Sequence, residues 1–172
     1  MLPENSQQQR QPLPEAFIRP AAPADCDKIA DLANKAYSIY LERMDKKPAP
    51  MTENYAARIA EGFVFVLEIQ LSPALPALVG FIMLVPDKDA LLLRVVTVDP
   101  AMQGQGYGKM LIAFAEKRAC ELGLHRISLF TNEVMTENLR LYPRLGYTET
   151  HRASENGFNR VYFSKALSSI SL

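Results

Sequence analysis

The sequence predicts an α/β (α+β) fold, a mixed and mostly antiparallel central sheet flanked by helices. Three observations carry that expectation. The apolar period changes repeatedly along the chain, giving the order β-α-α-β-β-β-α-β-α-β-β. Leu91 to Val98 is apolar except for Arg94 and Thr97, as suits a strand covered on both faces. A helical stretch and then another strand follow it, which calls for a parallel pair joined by one right-handed crossover.

Met1 to Pro14 are rich in Gln and Pro and poor in apolar groups, so residues 1–16 are expected to form a disordered tail before one domain over 17–172. Phe17 to Arg19 is strand-like and closed by Pro20 and Pro23. Ala24 to Tyr40 has helical spacing, with Ile29, Leu32, Ala33, Ala36, Tyr37 and Tyr40 on one side and Ala24 or Asp25 at its start. Asp45 to Met51 reads as a loop. Thr52 to Ala60 reads as a helix capped by Thr52 and stopped by Gly62. Phe63 to Gln70 and Ala77 to Val85 are β-branched and aromatic runs, and the break at Ser72 to Pro76 suits a hairpin. Asp87 to Asp89 turns the chain into Leu91 to Val98, which Pro100 ends. Gly106 to Leu122 is the strongest helix, with Leu111, Ala115, Ala119 and Leu122 in a stripe and Gly123 as its stop. Ile127 to Thr131 is a strand, and Glu137 to Leu145 a helix ending at Gly146. Tyr147 to His151 and Val161 to Ser164 are strands around an Asn156-Gly157 turn.

The 172 residues fit one domain with a substantial core. Lys plus Arg and Asp plus Glu both total 19, so neither nucleic acid nor an acidic membrane surface is expected as a partner. Cys26 and Cys120 are far apart and sit in helical stretches, where small buried hydrophobes are expected rather than a disulfide or zinc site. No apolar run reaches the roughly 18 residues of a membrane span, and the N-terminus lacks an apolar signal region. A cytoplasmic protein without metal is expected.

The chemistry lies in Val95 to Gly108, VVTVDPAMQGQGYG. A buried strand runs into a proline, a glycine-rich turn and a helix. Gly104, Gly106 and Gly108 remove Cβ atoms where the backbone bends and a ligand approaches. The first N–H groups of the helix lack intrahelical partners and lie at the positive end of its dipole, which suits a pyrophosphate. Lys109 adds a positive charge. The segment also reads as a simple connecting turn. A dinucleotide GxGxxG and a Walker GxxxxGK[ST] are both absent.

Gln103, Gly106 and Gly108, following a V-x-V-x-P strand end, resemble the acetyl-coenzyme A signature of the GNAT acetyltransferase superfamily. IRPAAPADCDKIADL (18–32) looks like that family's first strand and helix. TNEVMTENLRLYPRLGYTET (131–150) looks like its other signature, and GFNRVYFSKAL (157–167) its last strand. The resemblance covers about Phe17 to Leu167. It implies the GNAT fold with a splayed parallel pair, acetyl-CoA as co-substrate and an N-acetyltransferase activity on a primary amine by direct attack in a ternary complex.

It also implies roles. The backbone of Val96, Thr97 and Val98 lines the pantetheine arm, and an N–H near Val98 faces the thioester carbonyl. Gln103, Gly104, Gln105, Gly106, Tyr107, Gly108 and Lys109 supply phosphate-binding amides. Asn138 joins the coenzyme site, and Tyr142, four residues on along one helix face, protonates the departing thiolate. Leu141 and Leu145 read as that helix's core stripe, and Pro143 inside it is expected to cost a backbone bond. The family often places an acid on the strand before V-x-V-x-P; Arg94 and Val95 stand there, so the base is left unidentified: Glu68, Glu133, Glu137 and His151 are the nearest candidates, each reading first as a surface group or cap, and a water chain is the alternative. Tyr37, Tyr40, Met51 and Tyr55 are candidate acceptor-site residues. The acceptor is a small-molecule amine or a protein or peptide amine, and a homodimer is left open. The alternative reading is a non-catalytic acyl-CoA sensor or protein-interaction module of the same fold, which Arg94 favours. A longer acyl or an aminoacyl donor is a third reading.

Overall fold

The computed structural model describes residues 13–168. Residues 1–12, most of the expected tail, lie outside them. In chain order the elements are β1 (Ala16–Pro20), α1 (Cys26–Tyr37), α2 (Tyr55–Ala60), β2 (Val64–Ser72), β3 (Leu75–Asp87), β4 (Ala90–Val98), α3 (Tyr107–Glu121), β5 (Arg126–Asn132), α4 (Thr136–Arg144), β6 (Thr148–Glu155) and β7 (Phe158–Ala166).

The seven strands form one sheet in the order β1-β2-β3-β4-β5-β7-β6. Among the described residues only β4 and β5 run parallel, joined through α3, and every other pair is antiparallel. The expected mixed, mostly antiparallel class is what forms. On one face α3 buries Leu111, Ile112, Ala115 and Ala119 against Ile82, Leu91, Leu93 and Ile127. On the other, Ile29, Leu32 and Ala33 of α1 and Tyr55 and Ile59 of α2 cover Val66, Phe81, Met83 and Val95. The central strands are therefore apolar on both faces, as the Leu91–Val98 run implied.

Several boundaries differ from the sequence reading for local reasons. α1 stops at Tyr37, and Ser38–Tyr40 tighten into a 3-10 turn. α2 is capped by Asn54, not Thr52: Asn54 Oδ1 accepts the Ala57 N–H at 3.1 Å, while the Thr52 hydroxyl donates to Ala49 O across a 3-10 turn. The β2–β3 hairpin narrows to Pro73 and Ala74, and Pro76 enters β3. β3 pairs with β4 only from Gly80 onward, so Pro76 sits where one edge of the strand needs no donor. β6 and β7 extend to a two-residue turn in which Asn156 and Gly157 both have positive φ, 51° and 78°, matching a type I′ hairpin. Cys26 and Cys120 are free and half-buried rather than fully buried.

Arg19 joins β1 to its neighbours. Its guanidinium reaches Asp25 at 2.8 and 3.0 Å and Glu68 at 2.6 and 3.2 Å. The Arg19 hydrogen bond outweighs burial and holds the Asp25 carboxyl below its ordinary value, with the Ala22 N–H adding to it. A depressed carboxyl contributes stability that is full above its unfolded value, about 4, and lost as pH falls through its native value. Asp25→Asn should therefore lower Tm at neutral pH, and the gap from the parent should close below about pH 4. A gap that stays constant in a pH series of melting curves would remove this role.

Candidate active site

β4 and β5 pair only over Leu91–Leu93 and Ile127–Leu129. Beyond that point β4 continues to Val98 on β3 alone, and β5 continues to Asn132 on β7 alone. The facing edges then carry backbone N–H and C=O groups with no ladder partner. The divergence starts at a bulge: Leu84 faces Leu93 and Met83 faces Val95, leaving Arg94 as the extra residue. Leu91 and Leu93 pack with α3, whereas Val95 packs with α1 and α2. The bulge has switched which face the strand's alternate residues serve.

Behind the divergence β3 presses close. A Cβ on Gly80 would lie 2.8 Å from Thr97 O and 3.3 Å from Leu111 Cδ1. Gly80→Ala must displace the open part of β4, and overpacking of this kind costs about 1–3 kcal/mol. We expect a Tm lower by several degrees, together with weaker ligand binding in the gap; a melting curve matching the parent would show that β4 yields freely.

The gap opens into a cavity of about 370 Å³. Val96, Thr97 and Val98 line it from β4, and Gln103, Gly104, Tyr107 and Gly108 from the loop and the start of α3. Asn138 and Tyr142 line it from α4, Tyr37 from the end of α1 and Tyr40 from the 3-10 turn that follows it. Gln105, Gly106 and Lys109 lie in the same loop and first helical turn, outside this lining. Tyr55 and Met51 do not line it. Tyr55 is only 4% exposed, because its ring meets Phe81 edge-on and its hydroxyl donates to Pro50 O at 2.7 Å. It is a core residue, and Pro50 takes the place on the cavity wall.

At the head of α3, Gly106 is the N-cap with φ 91°, and it offers no side-chain oxygen. Among the described residues the N–H groups of Tyr107, Gly108 and Lys109 have no protein partner. Gly104 also has positive φ, 79°, so the turn keeps its inner side clear of Cβ atoms. The Gln103 side chain donates to Val98 O at 3.2 Å, tying the loop to the end of β4. Two buried hydroxyls on the wall, Thr97 Oγ1 and Tyr107 Oη, have no hydrogen-bond partner in ordinary geometry. The Tyr37 phenol sits close to Thr97: burial pushes its pKa up, and Thr97 offsets part of the rise.

α4 supplies two wall groups. Asn138 Nδ2 donates to Thr131 Oγ1 at 3.0 Å, fixing its amide beside β5. Tyr142 is 4% exposed and packs on Tyr147 and Phe163 with ring centroids 5.8 and 5.7 Å away. Tyr142, not Leu141 or Leu145, is the deepest residue of the helix, and those two leucines are only half-buried. Pro143 falls in the last turn, where it removes a single N–H. Burial, aided by the nearby Tyr37 and Tyr40 phenols, raises the Tyr142 pKa above its ordinary value.

The acids separate clearly. Glu68 is held by Arg19, Glu133 accepts from Asn159 at 2.9 Å, and His151 stacks on Tyr162 at 4.2 Å; none of the three lines the cavity. Glu137 does line it, but Arg43 grips both its oxygens at 2.8 and 2.9 Å and holds its carboxyl at about 2. Glu53 is a further wall acid that the sequence reading passed over. Its carboxylate pairs with Arg94 at 3.2 Å and Arg58 at 3.3 Å. Phe130, Phe158 and Arg160 also line the cavity, with the Arg160 guanidinium 4.3 Å from the Phe130 ring centroid. Nothing local in the sequence marks these groups, since β5, β7 and the lead-in to α2 meet only in space.

A sheet that opens between two parallel strands, with bare amides heading the helix that joins them, suits a long ligand that pairs along a strand edge and ends in a phosphate. The chain belongs to the acetyltransferase (GNAT) family, whose model matches residues 27–147. It is similar to a GNAT-family acetyltransferase from Listeria monocytogenes at 25% identity, covering 88% of this chain and 95% of that one with a TM-score of 0.67. It shares its fold with the PaiA N-acetyltransferase of Thermoplasma acidophilum, solved in complex with coenzyme A (15% identity, 88% and 99% covered, TM-score 0.72). A mycothiol acetyltransferase from Pseudarthrobacter chlorophenolicus is 44% identical over 54 residues. That stretch is 31% of this chain and 17% of the relative, so the match spans only about a sixth of that protein's length.

Proposed function

We propose that the chain is an N-acetyltransferase that passes acetyl from acetyl-CoA to a primary amine by direct attack in a ternary complex. One observation carries this: the open edge of β4 leads straight to the unpartnered amides at the head of α3. A long ligand can lie along the edge as an added strand and end its diphosphate on the amides. The orphaned hydroxyls of Thr97 and Tyr107 fit polar groups along such an arm.

Within this reading the backbone of Val96, Thr97 and Val98 binds the pantetheine arm and offers an N–H to the thioester oxygen. Charge grows on that oxygen as the amine attacks, so a fixed donor stabilises the transition state more than the ground state. The amides from Gln103 to Lys109 hold the phosphates, and Gln103 braces their loop. Asn138 orients the ligand from the β5 side. Tyr142 gives its proton to the leaving thiolate, because a phenol whose pKa is raised is fully protonated at neutral pH. Tyr37 and Tyr40 face the acceptor. The acceptor is a small-molecule amine or a peptide or protein amine, and the free Cys26 and Cys120 suit a reducing cytoplasm.

The test is thiol release from acetyl-CoA with a panel of amines, beside calorimetric binding of coenzyme A. Release that depends on an amine is the expected result. Binding without release would make the chain a sensor rather than an enzyme, and preferential turnover of longer acyl donors would change the donor.

A further inference from the structure

We propose that the acceptor is a small amine that also carries a carboxylate, and that Arg160 of β7 receives the carboxylate. The inference rests on the acetyl-transfer reading and deepens it by naming the acceptor's chemistry. Arg160 lines the cavity that Val96, Thr97 and Val98 line from β4. Its side chain is only 16% exposed. The guanidinium lies 4.3 Å from the Phe130 ring centroid and 5.7 Å from that of Phe158, and both rings line the same cavity. Two aromatic neighbours fix the plane of the group, so little side-chain freedom remains to be lost on binding.

One of its three nitrogens is engaged. Nη1 donates to Glu155 Oε2 at 2.9 Å. Tyr162, whose hydroxyl lies near the guanidinium, donates to the same oxygen at 2.6 Å. Among the described residues Nε and Nη2 of Arg160 meet no acceptor in hydrogen-bonding geometry. These two atoms share one edge of the guanidinium, and their parallel N–H groups match the two oxygens of a carboxylate. The chain fills that edge elsewhere. Arg19 gives Nε and Nη2 to Glu68 at 3.2 and 2.6 Å, and Arg152 gives them to Glu149 at 2.7 and 3.2 Å. On Arg160 the same edge is open.

The other charges on the wall are matched. Glu53 is held by Arg94, Arg58 and the Asn54 N–H, and Glu137 by Arg43 through both oxygens. A single open cationic edge suits one negative charge, a carboxylate rather than a doubly charged phosphate. Tyr37, Tyr40, Met44 and Pro48 add apolar or aromatic wall, which suits the body between the acceptor's amine and its acid. Size follows from the loop between α1 and α2. Arg43 ties it to Glu137 of α4, and Lys46 ties it to Asn156 O at 2.6 Å in the β6–β7 turn. A loop fastened at two points across this end admits a small molecule more readily than a folded chain.

The experiment follows thiol release from acetyl-CoA with ω-amino acids of increasing chain length and with their carboxamides, which keep the amine and lose the charge. An aminoalkyl phosphonate tests the anion, and an amidated lysine peptide tests the size. In the parent, kcat/KM for the best acid should exceed that for its carboxamide by about 10–100-fold, mostly through KM. Arg160→Gln should lower the acid to the level of its carboxamide, with calorimetric coenzyme A affinity held. A merely structural role would lower acid and carboxamide alike.

No preference for the acid in the parent, or an equal loss for both in Arg160→Gln, would overturn the proposal. So would a peptide or phosphonate turned over faster than every acid. If Arg160→Gln no longer binds coenzyme A, Arg160→Lys takes its place. It keeps the charge but not the paired edge, so a reduced preference for the acid supports the assignment and an undiminished one refutes it. A parent chain that binds coenzyme A but releases no thiol with any amine removes the transferase reading itself, whereas amines turned over without regard to the carboxylate leave that reading in place.

Discussion

Gly106→Asp is expected to abolish measurable coenzyme A binding while leaving the chain folded. Gly106 is the N-cap of α3, and its missing side chain is why the amides of Tyr107, Gly108 and Lys109 stay free. Asp is a favourable N-cap that tolerates left-handed φ better than most residues, so its carboxylate should accept from those amides. The helix keeps or gains stability, and the anion site is filled from within. A diphosphate arriving there meets a like charge in place of free donors. At an effective dielectric of about 20, unit charges about 4 Å apart repel by roughly 4 kcal/mol, near three decades in affinity. Gly106→Ala separates the causes: it adds backbone strain of about 1–2 kcal/mol and no charge. Calorimetry should show near-total loss with Asp and a small loss with Ala, with Tm reading the strain. Equal affinity in the parent and Gly106→Asp would move the phosphates elsewhere.

Tyr142→Phe is expected to lower kcat about 10²–10⁴-fold, the usual worth of a positioned proton donor. The ring that packs on Tyr147 and Phe163 is retained, so the fold and coenzyme affinity should change little. Only the phenolic proton is removed. Because burial raises the Tyr142 pKa, its donor form persists through neutral and moderately alkaline pH, and the parent should show no loss of rate from this group below about pH 10. If kcat is unchanged, the thiolate takes its proton from water or another wall phenol. Tyr37 and Tyr40 both stand near enough to Tyr142 to affect its titration. The triple comparison of Tyr142→Phe, Tyr37→Phe and Tyr40→Phe would assign the donor.

How much was legible follows the range of the interactions. The anion site could be read because it is local: strand, proline, turn glycines and helix start lie within Val95–Gly108, and backbone geometry alone makes it. The β4 strand was readable from its unbroken apolar run. Glu53 was not. It sits next to two acceptable caps, Thr52 and Asn54, in a segment that looks like any helix entrance. Its place on the cavity wall goes with Arg94, far along the chain and joined to it by an ion pair. Tyr55 went astray for the complementary reason. An aromatic beside a cap looks available, but the edge-on contact with Phe81 draws it inward. Leu141 and Leu145 satisfied the helical period, yet the wider ring of Tyr142 filled the deep position beneath α4.

One residue of surplus length at Arg94 lets a single strand serve two masters. Its first half anchors the long helix, and its second half hands its odd-numbered side chains to the opposite wall. Pairing Arg94 regularly with β3, with no bulge, would restore strict alternation, turning Val95 and Thr97 toward α3 and Val96 and Val98 toward the acceptor. The two compartments of the molecule would exchange their linings, although the composition of the strand had barely changed.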